Sequence, residues 1–118
     1  MRSRWGEWQI VSLTNRDREG TMSVMVLLEA PVKAEEISNM KSYLAERFPE
    51  ARAYDGCNGI DVYFNTEKEE NMVVVEHWTS RRHHEEYLGW RTETGVMETL
   101  TGMLAGPPSI RYFERADA

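Results

Sequence analysis

The chain has 118 residues, of which 41% are hydrophobic and 29% charged, the proportions of one globular domain. Its single cysteine, Cys57, excludes an intrachain disulfide and the multi-cysteine zinc patterns. A formal net charge of −6 repels phosphate backbones, which argues against nucleic acid as the partner.

The charge is uneven. Residues 1–22 carry four arginines against three acidic side chains, whereas the remainder carries ten basic and seventeen acidic groups. The first segment ends in the polar run Asn15-Arg16-Asp17-Arg18-Glu19-Gly20, which reads as a turn or linker. Residues 1–21 are therefore expected to be an N-terminal extension or arm, with Trp5, Trp8, Ile10 and Leu13 able to pack on a body formed by 22–118. The longest apolar run, around 24–28, is far too short for a membrane span. No apolar stretch followed by a small-residue cleavage site marks a secretory signal, so the expected location is cytoplasmic.

Residues 23–29, rich in Val, Leu and Met, read as a buried strand closed by Pro31. Ile37, Met40, Leu44 and Phe48 recur at helical spacing and predict a helix over 34–48, stopped by Pro49. Two glycines in Asp55-Gly56-Cys57-Asn58-Gly59 predict a turn or bulge leading into a strand to Asn65, in which Ile60, Val62 and Phe64 share one face. A charged hairpin follows over 66–71. The strand over 72–79 then sets Met72, Val74, Glu76 and Trp78 on one face and Val73, Val75 and His77 on the other. Ser80 is a good helix cap before a helix over 81–93, Gly95 interrupts, and a second helix covers 96–104. Gly106-Pro107-Pro108 precedes a last strand over 109–114.

Strand, helix, two strands, helix pair, strand is the order of an α+β, ferredoxin-like split βαβ domain: one antiparallel sheet with helices on one face. The second face here is apolar as well, since Val73 and Val75 lie on it. A second copy of the chain is the expected cover, giving a homodimer with two sheets face to face.

The run Gly56-Cys57-Asn58-Gly59-Ile60, the acidic hairpin with its Asn, and Glu76-His77-Trp78-Thr79-Ser80 opening a helix resemble the antibiotic-biosynthesis-type monooxygenase family over about residues 22–114. The resemblance implies a dimeric α/β barrel of ferredoxin-like subunits. It also implies one of several activities: cofactor-free oxygenation of quinols or polyketides, haem degradation, or none assigned. Trp78 and Ser80 match the family's strand-end Trp and helix-cap Ser, and Glu76 its frequent acidic residue. Tyr87 stands where a His is often found. The first strand has no Asn, Leu88 replaces the haem branch's His, and Val74 the polyketide branch's Asn. The machinery of neither branch is preserved.

The resemblance implies a ligand pocket between sheet and helices. Trp78, Tyr87 and Trp90 are its candidate substrate-binding residues, and His84, His83 and Arg91 its candidate catalytic ones. Positions 83, 84, 87, 90 and 91 lie close enough around a helix to present together. Each also has a plain packing role: the tryptophans and Tyr87 as core aromatics, one histidine facing solvent, Arg91 paired with Glu98 or Glu76. Adjacent His83 and His84 diverge by about 100° on a helix, so only one can face a cavity. His77, His83, His84, Glu85 and Glu86 crowd together, but their spacing matches no metal motif, and no metal is expected.

The expected function is a cofactor-independent monooxygenase acting on a quinol, phenolic or polyketide-like aromatic substrate with molecular oxygen. His84 or His83 serves as base and Arg91 stabilises the anion. The alternative is a non-catalytic dimer of the same fold that binds a small molecule, such as a stress-response protein.

Overall fold

The computed structural model describes residues 23–117. The expected N-terminal arm, with Trp5, Trp8, Ile10 and Leu13, lies outside the described residues. The strands are β1 (Val24–Pro31), β2 (Cys57–Phe64), β3 (Asn71–Trp78) and β4 (Ser109–Phe113). The helices are α1 (Ile37–Arg52), α2 (Arg81–Glu93) and α3 (Val96–Met103). The sheet order is β2-β3-β1-β4, and every neighbouring pair is antiparallel. This is the ferredoxin-like arrangement read from the chain.

Alternation builds the core. Val24, Val26, Leu28 and Ala30 on β1 and Met72, Val74 and Trp78 on β3 are buried. Met40, Leu44, Phe48 and Ala51 of α1 join them in one cluster. The opposite face of the sheet is only partly covered: Tyr63 of β2 remains 55% exposed and Phe113 of β4 40%.

Two local expectations are corrected. Residues 34–48 do not form one helix. Ala34–Glu36 is a 3-10 turn, because Glu36, at φ −107° and ψ 2°, departs from helical geometry before α1 begins at Ile37. Nor does Pro49 stop α1, which runs on to Arg52. An interior proline removes one backbone bond and crowds the preceding turn, costing about 3 kcal/mol. Here the last turn is held by tertiary contacts. Ala51 is fully buried, and Arg52 Nη2 donates to Ile60 O at 2.9 Å. The Ala53 N–H closes the helix end on Pro49 O at 3.2 Å.

The bulge expected before the second strand is present. The β2–β3 register shifts between Cys57 and Gly59. Gly56 takes φ +89°, and a Cβ there would fall into the His83 imidazole, so backbone and ring approach as only glycine allows.

Candidate functional site

Strand β3 alternates three apolar residues with one carboxylate on its inward face, so the fold carries Glu76 into the core. Its exposure is 4%. Trp78, two residues on and fully buried, donates its indole Nε1–H to Glu76 Oε1 at 2.9 Å. His84 Nε2 lies 3.5 Å from the same oxygen. Burial raises the Glu76 carboxyl to about 7, with the Trp78 hydrogen bond pulling the other way.

His84 is placed by the inward stripe of α2, which comprises His84, Tyr87, Leu88 and Arg91, three or four residues apart. Burial, aided by the Arg81 charge, lowers His84 to about 3. The ring is therefore neutral at pH 7, and its approach to Glu76 is a 3.5 Å polar contact between imidazole and carboxyl rather than an ion pair. Its Nδ1 lies 2.8 Å from the Tyr112 hydroxyl of β4. With Glu76 ionised, the consistent tautomer carries its proton on Nε2, toward Glu76, while Nδ1 accepts from Tyr112. The Arg81 guanidinium sits 4.1 Å above the Tyr112 ring.

Around this polar centre lies an aromatic layer. The Tyr87 ring is 5.0 Å from Trp78 and 6.3 Å from His84. Tyr54, which follows α1, meets Tyr87 edge-on at 5.3 Å and stacks on Trp90 at 5.2 Å. Burial pushes the Tyr87 hydroxyl up to about 12, so it stays protonated.

The structure brings Trp78, His84 and Tyr87 together and sets Trp90 at the edge of the layer. His83 turns away. Its Nδ1 is 2.7 Å from Ser80 Oγ, and its Nε2 is 3.8 Å from Asp55. Serine, histidine and aspartate stand in line here, but this is not a nucleophile site. Ser80 is 1% exposed, and its Oγ accepts the His83 backbone N–H as the α2 cap.

Arg91 is buried but fully engaged. Nε donates to the Tyr87 hydroxyl at 3.0 Å, Nη1 to Glu50 Oε1 at 3.0 Å, and Nη2 to Arg47 O at 2.8 Å. Its acidic partner is thus Glu50 on α1 rather than Glu98 or Glu76, because the side chain spans from α2 to α1. Among the described residues, no three His, Cys, Asp or Glu side chains converge as a metal site would require.

Sequence reasoning left Glu76, Tyr112, Tyr54 and Glu50 out of the candidate site. Glu76 carried the one legible signal, a carboxylate in phase with Met72, Val74 and Trp78. The other three meet the site through tertiary contacts between elements far apart in sequence.

The antibiotic biosynthesis monooxygenase family model matches residues 23–91. No curated protein matches the chain. Several solved structures share the fold. A conserved protein from Methanosarcina mazei Go1 is 16% identical with a TM-score of 0.74, over 86% of this chain and all of its own. A protein named as an antibiotic biosynthesis monooxygenase is 14% identical with a TM-score of 0.72, over 79% of this chain and 98% of its own. Rv0793 from Mycobacterium tuberculosis is 21% identical with a TM-score of 0.71, over 81% and 97%. At these identities the likeness speaks for the fold.

Proposed function

The chain belongs to the antibiotic biosynthesis monooxygenase family, and from that premise we propose that it is a cofactor-independent monooxygenase of phenolic or quinol substrates with Glu76 as its base. The observation that carries this reading is the buried Glu76 carboxyl, held at about 7 between Trp78 and His84. A base that titrates near neutrality is half ionised at pH 7 and still strong enough to take a phenolic proton. His84, lowered to about 3, is too weak a base for that task. It positions the carboxylate instead.

In this reading a phenolic ring seats against Trp78 and Tyr87 and gives its O–H proton to Glu76. The phenolate passes one electron to dioxygen, and the resulting radical and superoxide join at a ring carbon. The peroxide anion takes back the proton held by Glu76, and the resulting hydroperoxide loses water. The ring C–H bond breaks, one oxygen atom becomes a quinone carbonyl and the other leaves as water. All four electrons come from the substrate, so no cofactor has to supply them.

Oxygen uptake with a panel of hydroquinones and hydroxynaphthalenes tests the reading. Turnover that depends on Glu76 supports it. Glu76→Gln turning over as fast as wild type overturns it.

A second reading is binding without turnover. It is favoured by the full engagement of Arg91, whose bonds to Tyr87, Glu50 and the Arg47 carbonyl leave it committed to the fold rather than to a developing anion. Ligand binding with no oxygen consumption across the panel selects it.

A further inference from the structure

Outside the aromatic layer, a groove of about 370 Å³ opens between α1 and the junction of α2 with α3. Its walls follow from spacing. Tyr43, Arg47 and Glu50 recur at four and three residues along one stripe of α1 and face Trp90 and Arg91 of α2. We infer that this groove is a binding site for a small aromatic carboxylate, with the carboxylate on Arg47 and the ring against Tyr43 and Trp90.

The arginines of the groove point to an anion. Two guanidiniums line it against the one carboxylate of Glu50, with Glu46 beside Arg47 at 3.7 Å, so the anion is called for by the geometry of Arg47 rather than by a net excess of charge. The roles of the two guanidiniums differ. Arg91 is spent on Tyr87, Glu50 and the Arg47 carbonyl. Arg47 meets only a loose partner in Glu46, at 3.7 Å and on a side chain 70% exposed, a pairing of little worth in water. Its guanidinium lies 4.4 Å over the Tyr43 ring, which holds the planar fork in place. A carboxylate can replace Glu46 with two parallel hydrogen bonds from that fork.

The floor adds a second, weaker attraction. Helix α3 starts after Gly95, whose φ is +85° and which has no side chain to cap it. The first intrahelical bond runs from Thr99 N to Gly95 O, so the N–H groups of residues 96–98 have no partner within the helix. They add partial positive charge at the end of the groove where Val96 lies, offset in part by the Glu98 carboxylate in the same first turn. The aromatic body is indicated by Tyr43 and by the part of Trp90 that lines the groove, a ring already stacked on Tyr54 and covered by the Arg91 guanidinium at 4.5 Å, and the volume falls within the range of small-molecule pockets.

The test uses the full chain labelled with ¹⁵N, benzoate as probe and benzamide as its neutral counterpart. Benzoate is expected to shift the amide resonances of Gly95 and Val96 and the Trp90 indole at millimolar concentration, and benzamide is not. Arg47→Gln should weaken benzoate binding at least tenfold, and Arg47→Lys less, since it keeps the charge without the fork. Arg47 is at the surface, and an unchanged spectrum elsewhere verifies its fold. Glu76→Gln should bind benzoate like wild type, which separates this site from the proposed active site. Unmoved resonances, equal binding of benzamide, or undiminished binding by Arg47→Gln would each overturn the inference.

Discussion

Glu76 and His84 are neighbours whose proton affinities burial has moved in opposite directions. If Glu76 is the base, turnover should rise with pH about a midpoint near 7, and Glu76→Gln should lower the rate by about 10²–10⁴. Trp78→Phe keeps most of the packing but removes the N–H that favours the carboxylate, so the midpoint should move up while folding survives. A midpoint that ignores Trp78→Phe would mean that some other group titrates. The same two residues shape stability. The native Glu76 pKa, about 7, lies above the usual 4.5, so its burial is free below pH 4.5 and costs progressively more up to about 7. The native His84 pKa, about 3, lies below 6.5, so stability is lost as pH falls through that window. Between 6.5 and 4.5 the two slopes oppose each other, each at most about 1.4 kcal/mol per pH unit. Urea unfolding across pH should therefore show wild type gaining on Glu76→Gln as pH drops from 7 to 4.5. A gap that stays constant over that range would place the carboxyl in a wetter setting than the fold describes.

Helix α2 is aimed by what precedes it. The Ser80 cap starts it, the left-handed Gly56 admits the His83 ring, and the register shift at Cys57–Gly59 re-forms the ladder beside β3. Gly56→Ala combines an unfavourable φ, about 1–2 kcal/mol, with a Cβ inside the imidazole. It should lower the melting temperature, and a double variant with His83→Gly, which removes the His83 Cβ 2.6 Å away as well as the ring, should recover only the steric share. Full recovery would mean that the backbone there is not strained. Such devices also explain what could be read in advance. Element order, the glycine-rich bulge and the inward phase of Trp78 were legible because each is local: alternation, turn chemistry and a cap. The passage of α1 through Pro49 was not, because the contacts that hold its last turn, Arg52 to Ile60 and the burial of Ala51, are tertiary. Arg91 was sought against Glu98 and Glu76, yet its partner Glu50 is 41 residues away on α1. Tyr112, 28 residues from His84, reaches it only because β4 pairs with β1 at the sheet edge. The stripe of α2 did discriminate between the two adjacent histidines, but naming the inward one required knowing that α2 is fixed by Leu88 and Arg91 below it.

The helices occupy one side of the sheet, and the other carries a band of apolar side chains across all four strands. Val75 lies between Leu27 of β1 and Asp61 of β2, and Val73 between Glu29 and Tyr63. Met25 lies beside Phe113 of β4. Tyr63 and Phe113, the large exposed apolar side chains among the described residues, stand on the two outer strands at opposite ends of this face. A patch of this kind on a small domain is costly to leave in water. We propose that a second copy of the chain covers it sheet to sheet, the same patch meeting itself about a two-fold axis. The expected outcome is a dimer by sedimentation at micromolar concentration. Val75→Asp should split it, since a carboxylate buried without a partner between two sheets costs several kcal/mol, but beside Asp61 it also weakens the subunit itself by up to about 1 kcal/mol. Tyr63→Glu and Phe113→Glu separate the two effects. Both side chains are already exposed in the single subunit, so folding should persist while the dimer dissociates. A wild type that sediments as a monomer, or charged variants at these positions that remain dimeric, would show that this face is not where two subunits meet.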